Sequence, residues 1–509
     1  MGTAYKADVV KLPSTAQIAK ISQQLGYDLV NAEIQEYRDA IAQSLQATYQ
    51  RLSEIPDPKL PVKYPRTPGY RPVGEDNPLN AWYWRCNITG APNGKLLGKT
   101  IAVKDNICVA GVPMMCGSRV LEGYIPDVDA IVVSRILDAG GCILGKAVCE
   151  SLCSSGGSFT SATGPVLHPD DPTRMTGGSS SGCAALVAGG HVDMALGTDQ
   201  GGSIRNPCGR CGIVGLKPTF GLVPYTGIIP MEFSLDHVGP MAKNVHDLSL
   251  LLEVIAGPND GLDYRQPHSM QSPESYTSKL TGDISHLRLG LLKEGFSRPQ
   301  SEPDVDELVK KGAEGLAKKT GASLQDISVP MHLDAVVIYD AISDGGLWTN
   351  RFLETTGYQV TSAQQMLAQG LKIRANDLSV DLKVAAVKGK YLQDNYQDLF
   401  YTKARNLGWK LRQAFDEALT KVDVLIMPTT PMKARRIPHI NVTLKEYLTS
   451  CGENIMNNCA FNMTGHPALS INAGFSQGLP VGMLMVGRKF EETTLLNVAY
   501  AFEKIRDAM

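Results

Sequence analysis

Two serines in glycine-rich stretches and one lysine at the end of an apolar run are the residues best suited to nucleophilic chemistry. Ser179 lies in GGSSSG at 177–182, and Ser203 lies in GTDQGGSIR at 197–205. Small residues around both serines would let a substrate approach the backbone closely. Lys104 ends the run TIAVK at 100–104, where burial would favour the uncharged amine. We therefore expect a serine nucleophile that is activated by a lysine.

The residues before Ser203 are also suited to binding a developing negative charge. The backbone N–H groups of Gln200, Gly201, Gly202 and Ser203 could turn toward one point and hold the oxyanion of an attacked carbonyl. A serine hydroxyl is a weak nucleophile until a base takes its proton, and Lys104 is the candidate base. Ser203 could also be a helix N-cap, a role compatible with catalysis.

These motifs and their spacing resemble the amidase signature family. Further matching stretches are GLKPT at 215–219, DHVGP at 236–240 and TGHPALS at 464–470, so the resemblance runs from about residue 80 to the C-terminus. Within the family, GVPMM at 111–115 and SDGG at 343–346 are most similar to the amidases found beside nitrile hydratases. The resemblance implies an amidohydrolase that converts a carboxylic amide to the acid and ammonia or an amine.

The resemblance also implies the role of each catalytic residue. Ser203 would form the acyl-enzyme, and Ser179, after a cis peptide bond, would connect it to Lys104 in a Ser-Ser-Lys triad. Ser180 would support this network by hydrogen bonding. Asp199 and Arg205 flank the nucleophile and could fix its loop as an ion pair.

A pocket for the acyl group is expected beside the nucleophile. In the family, the segment that corresponds to Cys153, Ser154 and Ser155 passes this pocket. Apolar side chains at Leu235, Ile338 and Trp348 are further candidates, although such residues are equally typical of a hydrophobic core.

Three other functions use parts of the same pattern. The amidase subunit of a glutamine-dependent tRNA amidotransferase uses the same three residues. The stretch GSSSG at 178–182 also fits the nucleophile elbow of an α/β-hydrolase esterase, with Ser180 as nucleophile, but the adjacent Asp236 and His237 would point to opposite faces of an extended chain. A catalytically silent scaffold would not need the complete set of Lys104, Ser179 and Ser203.

Composition limits the partners and the compartment. The net charge of −2 gives no electrostatic case for nucleic acid or an anionic membrane. Residues 1–11 have no signal-peptide pattern, and no apolar run approaches the roughly 20 residues of a spanning helix. Eleven cysteines suggest reduced thiols in a cytoplasmic protein. Cys208 and Cys211 form a C-x-x-C without a second pair, and the nine histidines are scattered, so we predict no metal and no cofactor.

Alternating strand and helix patterns predict an α/β fold. We expect one large domain with a central mixed β-sheet covered by helices, plus an N-terminal helical extension. Residues 1–55 would form the helical arm, because apolar residues recur every three or four positions from 15 to 55, and its face could mediate a homodimer. Seven prolines make 56–80 an extended connector. The catalytic domain would be 81–509, with 258–415 as its variable substrate-pocket region.

Overall fold

An eleven-stranded mixed sheet forms the centre of the chain, as predicted, in the order β1-β3-β2-β4-β6-β5-β10-β11-β9-β7-β8. The computed structural model describes residues 11–258, 261–270, 275–346, 357–452 and 455–506. The strands are β1 Trp82–Thr89, β2 Thr100–Lys104, β3 Cys142–Ala147, β4 Met194–Asp199, β5 Val214–Lys217, β6 His237–Ala242, β7 Arg288–Leu292, β8 Ser323–Ile327, β9 Val424–Pro428, β10 Ala468–Ser476 and β11 Leu479–Gly487.

Strand direction changes across the sheet. Strands β3, β2 and β4 are parallel, the strands from β4 through β6, β5, β10 and β11 to β9 are antiparallel, and β9, β7 and β8 are again parallel. Strands β4, β6, β9 and β11 are buried along their whole length, which explains their apolar sequences. The parallel strands β2 and β4 therefore end side by side, at Lys104 and Asp199.

The described helices are α1 Thr15–Gln24, α2 Asn31–Ser44, α3 Arg51–Glu54, α4 Ile131–Asp138, α5 Ser181–Ala188, α6 Arg205–Arg210, α7 Val245–Ile255, α8 Pro303–Thr320, α9 Ala335–Gly345, α10 Thr361–Ile373, α11 Val380–Tyr396, α12 Leu399–Lys421, α13 Leu444–Gly452, α14 Ala460–Thr464 and α15 Glu492–Arg506. Helices α4, α5, α6, α7, α8 and α15 pack against the strands of the sheet. No helix in the described ranges combines the length and the apolar character that a membrane span requires.

The predicted N-terminal helical extension is present, and it consists of several helical segments. Helix α1 begins at a capping box in which Ser14 and Gln17 bond each other's backbone N–H groups. It ends before Gly26, whose φ of 77° is left-handed and stops a helix. Helix α2 then continues through the π-helical segment Leu45–Gln50 into α3. The chain divides into two compact units, residues up to 59 and residues from 60.

Candidate active site

Lys104 ends strand β2 and is completely buried beside the end of β4. Its Nζ lies 2.9 Å from Ser179 Oγ, 2.8 Å from Thr198 Oγ1 and 3.2 Å from the Thr198 carbonyl oxygen. All three partners are uncharged, and no carboxylate in the described part of the chain forms an ion pair with Lys104. Neutral hydrogen-bonding groups alone therefore hold the Lys104 amine.

Ser179 is the first residue after a cis peptide bond with Gly178, as the family resemblance implied. Two backbone contacts hold this segment: the Glu150 N–H donates to the Ser179 carbonyl at 3.2 Å, and the Ser180 N–H donates to the Ser203 carbonyl at 3.2 Å. The second contact brings the two catalytic segments together. The Ser179 hydroxyl thus contacts Lys104, and the next residue, Ser180, contacts the backbone of Ser203.

Ser180 contacts the same residue as Lys104, namely Thr198. Its side chain is fully buried, and its hydroxyl donates to the Thr198 carbonyl at 3.1 Å. His237 is the base that an esterase reading would need, but its Nδ1 pairs with the Leu235 carbonyl at 2.7 Å. The Ser180 hydroxyl is buried and donates to a backbone carbonyl, which argues against Ser180 as the nucleophile of an α/β-hydrolase.

Ser203 is partly exposed and lines a cavity, which is the position a nucleophile requires. Its hydroxyl forms no hydrogen bond with any described residue, so the predicted link between Ser179 and Ser203 is not closed in this structure. Catalytic hydrogen bonds are often open in free enzymes and tighten when substrate binds. Of the two hydrogen bonds that the predicted triad requires, the structure contains the one between Lys104 and Ser179.

The backbone around Ser203 corrects one part of the predicted oxyanion site. The N–H of Gly202 donates to Asp199 Oδ1 at 2.8 Å and is therefore not available to a substrate. The N–H groups of Gln200, Gly201 and Ser203 have no hydrogen-bond partner among the described residues. These three groups remain to bind an oxyanion.

A buried ion pair holds the nucleophile loop, as predicted. Asp199 and Arg205 both have no solvent exposure, and the guanidinium donates to both carboxylate oxygens at 3.0 and 2.8 Å. Arg205 also donates to the Asn458 carbonyl and to the Asn462 side chain, which in turn donates to Asp199. Burial by itself would raise the pKa of Asp199, but the charge and hydrogen bonds of Arg205 lower this pKa well below its ordinary value.

The cavity at Ser203 has a volume of about 200 Å³, and Cys153, Ser154 and Ser155 line it as predicted. Two predicted pocket residues were wrong. Ile338 is only 3% exposed and packs in the hydrophobic core, whereas its neighbour Tyr339 lines the cavity.

The prediction of Leu235 as a pocket residue was also wrong, because Leu235 lines a different cavity. The predicted pocket residue Trp348 lies outside the described residues. Two carboxylates, Asp340 and Asp381, line the cavity at Ser203, and no Lys or Arg lines the described part of this cavity. Partial burial and the nearby carboxylate of Asp344 raise the pKa of Asp340 to about 6.

Similarity to known proteins identifies the family of the chain. A family model described as Amidase matches residues 76–496. The chain belongs to the amidase family. The amidase is 40% identical over 503 residues to an enantioselective amidase of Rhodococcus rhodochrous, a match that spans 96% of this chain and 95% of that protein. It is 39% identical over 455 residues to the A-subunit of the glutamyl-tRNA(Gln) amidotransferase of Methanosarcina acetivorans, with 87% and 93% covered.

Solved structures of similar proteins share the fold. The native peptide amidase from Stenotrophomonas maltophilia has a TM-score of 0.68 at 28% identity, covering 81% of this chain and 83% of that chain. The A-subunit of the glutamyl-tRNA(Gln) amidotransferase from Thermotoga maritima has a TM-score of 0.66 at 29% identity, covering 82% and 85%. The predictions of family, fold and enzyme class are confirmed: the amidase is a hydrolase that acts on amide C–N bonds.

One group of side chains in the described ranges could hold a metal ion, and it consists of three buried thiols. The sulfur atoms of Cys116, Cys149 and Cys153 lie within 4.8 Å of one another. None of the catalytic candidates belongs to this group. Cys208 and Cys211 are buried free thiols and are not part of it.

Sequence reasoning missed several residues that shape the site. Thr198 binds Lys104 through two oxygens, and its place in the GTDQGGSIR stretch was the available signal. Asn462 fixes Asp199 from far along the chain, and no local signal marks it. Glu150 accepts hydrogen bonds from the N–H groups of Phe159 and Thr160 beside the pocket segment, and burial raises its pKa to about 7.

Proposed function

We propose that the amidase hydrolyses its substrate through an acyl-enzyme on Ser203, with Ser179 and Lys104 as the proton relay. Ser203 Oγ attacks the amide carbonyl while its proton passes to Ser179 and the Ser179 proton passes to Lys104 Nζ. The oxyanion is bound by the N–H groups of Gln200, Gly201 and Ser203. Return of the proton to the nitrogen releases ammonia or an amine, and water then cleaves the acyl-enzyme by the same path.

The observation that carries this proposal is the hydrogen bond of 2.9 Å between Lys104 Nζ and Ser179 Oγ. A buried lysine amine that contacts a serine and has no carboxylate partner is a candidate general base. Lys146 provides the contrast inside the same sheet, because it is also fully buried but lies 3.4 Å from the Asp105 carboxylate. Among the lysines that the structure describes, only Lys104 combines burial, neutral partners and contact with a serine near the cavity.

The charge of the cavity supports a simple amide as substrate over glutamine. The similarity to amidotransferase A-subunits favours the alternative that this chain is the amidase subunit of a glutamine-dependent amidotransferase. Glutamine carries an α-carboxylate, which would need a cation or several donors in the pocket. The described wall instead presents Asp340 and Asp381, which would repel this carboxylate. The amidase and amidotransferase relatives have similar identities to this chain and therefore do not decide the substrate. The negative charge of the cavity lining favours neutral or cationic amides.

Labelling and turnover together test the mechanism. A fluorophosphonate should modify Ser203 in the wild-type chain, as located by peptide mass spectrometry, and should not modify the Ser203→Ala variant. The purified chain without partner subunits should hydrolyse neutral aliphatic or aromatic amides faster than glutamine. A chain that is labelled elsewhere would contradict the nucleophile, and one that hydrolyses only glutamine would support the amidotransferase alternative.

The arm and the connector have proposed roles as well. We infer that residues 1–55 are a dimerisation arm, that 56–80 connect it to a catalytic domain of 81–509, and that 258–415 adapt the pocket. Tyr37, Ile41 and Leu52 of the arm are 49%, 37% and 60% exposed, which supports an apolar contact with a second copy. Light scattering should give a dimer that Tyr37→Glu weakens, and a wild-type monomer would contradict the inference. Eleven free thiols support a reducing, cytoplasmic location.

A further inference from the structure

A second cavity of about 600 Å³ lies in the larger unit and shares no described lining residue with the cavity at Ser203. Helix α12, the loop after β5, the loop before β6, the end of α14 and the loop after β11 surround it. This volume is within the range of pockets that enclose small organic ligands, whereas the cavity at Ser203 is smaller. The amidase mechanism does not use this second cavity.

The lining of the second cavity is strongly cationic. Arg265, Arg405, Arg412 and Lys489 line it, and none of its described lining residues is acidic. Three of these cations have carboxylate partners outside the lining: Arg265 pairs with Asp263, Arg405 lies 3.6 Å from Glu232, and Lys489 lies 3.5 Å from Asp416.

Arg412 differs from the other three cations. It forms no ion pair within the described ranges, and its Nε is buried without a hydrogen-bond partner. A buried guanidinium nitrogen without an acceptor is costly, and an anion in the cavity would remove this cost. A positive charge without a carboxylate partner among the described residues therefore lies in the wall of a ligand-sized cavity.

Aromatic side chains complete the lining. Trp409 and Phe490 are 54% and 51% exposed, so both rings are accessible to a ligand in the cavity. The backbone of Phe490 has a φ of 64°, a left-handed conformation that is rare for an aromatic residue, and its N–H donates to Thr219 Oγ1 at 2.8 Å. This hydrogen bond fixes a strained residue whose ring is available to a ligand.

We propose that the second cavity binds a small aromatic anion, with its ring against Trp409 and Phe490 and its carboxylate or phosphate group on Arg412. Guanidinium groups bind both anions in a bidentate manner, and aromatic side chains bind flat rings. An aromatic carboxylate could come from amide hydrolysis itself, whereas an aromatic phosphate would come from another source. The shared chemistry is a flat ring that carries one anionic group.

A neighbouring lysine provides a matched control for the test. Benzoate and phenyl phosphate are titrated into the full-length protein by calorimetry, with benzyl alcohol as the neutral ring. Arg412→Gln and Lys410→Gln each remove one positive charge from α12, but Lys410 is exposed and does not line the cavity. We expect one saturable site for at least one anion, about tenfold weaker binding in Arg412→Gln, and binding within about twofold of wild type in Lys410→Gln.

Each outcome decides the proposal. Tight binding of benzoate alone supports a carboxylate ligand, binding of phenyl phosphate alone supports a phosphate ligand, and both support the shared chemistry. If Arg412→Gln does not fold, as judged by its melting transition, Trp409→Leu and Lys489→Gln replace it and should each weaken binding. Equal effects of Arg412→Gln and Lys410→Gln, binding of benzyl alcohol as tight as that of the anions, or no saturable binding by wild type below about 1 mM would overturn the proposal.

Discussion

Replacement of Arg205 by methionine removes the counter-ion of a carboxylate that has no access to solvent. In the wild-type chain, Asp199 accepts hydrogen bonds from Arg205 and Asn462 and from the N–H groups of Gly202 and Ile204. The methionine side chain fills similar space but leaves the buried charge uncompensated. We expect Arg205→Met to lower the free energy of unfolding by about 3–5 kcal/mol, the usual cost of breaking a buried ion pair.

The same chain contains a solvent-exposed arginine that serves as a control. Arg288 also contacts both oxygens of an aspartate, Asp423, but its side chain is 44% exposed, and Asp423 retains Arg488 as a second partner. Exposed pairs contribute about 0–1 kcal/mol. Urea unfolding at pH 7 should therefore separate Arg205→Met from Arg288→Met by at least about 2 kcal/mol, the gap between these two ranges.

The pH dependence of the stability loss in Arg205→Met tests whether the unpaired Asp199 carboxylate causes it. The wild-type pKa of Asp199 is lowered, so its contribution to stability is present above the unfolded value near 4 and is lost only as pH falls through the lower folded value. Without Arg205, burial raises the pKa of Asp199, and the folded variant takes up a proton as pH falls. The stability deficit of Arg205→Met should therefore shrink from pH 8 to about pH 5.

Catalysis provides the second readout. Asp199 holds the N–H of Gly202 directly before the nucleophile, so a shift of the unpaired carboxylate should displace Ser203. We expect kcat/KM to fall at least about 100-fold in Arg205→Met, the effect of a misplacement near 1 Å. The double variant Asp199→Asn with Arg205→Met has no buried charge and should be more stable than Arg205→Met. Equal losses of stability in Arg205→Met and Arg288→Met, or no rescue by the double variant, would refute this reasoning.

Three further outcomes are expected. Lys104→Met and Ser179→Ala should each lower kcat by about 10²–10⁴-fold, the usual contribution of general acid–base catalysis, whereas Ser180→Ala should cost less because its hydroxyl only supports the Thr198 carbonyl. Incubation with EDTA should leave the rate unchanged, and zinc-reversible inhibition would show that a metal takes part. Because Asp340 becomes ionised as pH rises through about 6, KM for a cationic amide should fall over that range, and Asp340→Asn should abolish this dependence.

Short-range sequence patterns were enough to predict the candidate catalytic residues. The small residues around Ser179 and Ser203 and the apolar run before Lys104 are short-range patterns, and the buried contact of Lys104 with Ser179 agrees with them. The alternation of strands and helices likewise predicted the α/β class. Such features depend on neighbours in the chain, so one sequence is enough to read them.

Other features depend on residues that meet only in the folded chain. Ile338 and Tyr339 illustrate the limit, because one residue along a helix turns the side chain by about 100°, and packing of α9 decides which one faces the cavity. The hydrogen bonds that Asp199 accepts from the Gly202 N–H and from the Asn462 side chain could not be predicted from the sequence either. Composition and spacing thus determined which groups could react, whereas tertiary packing decided which donors stay free for a substrate, because each buried polar group must first satisfy its own hydrogen bonds.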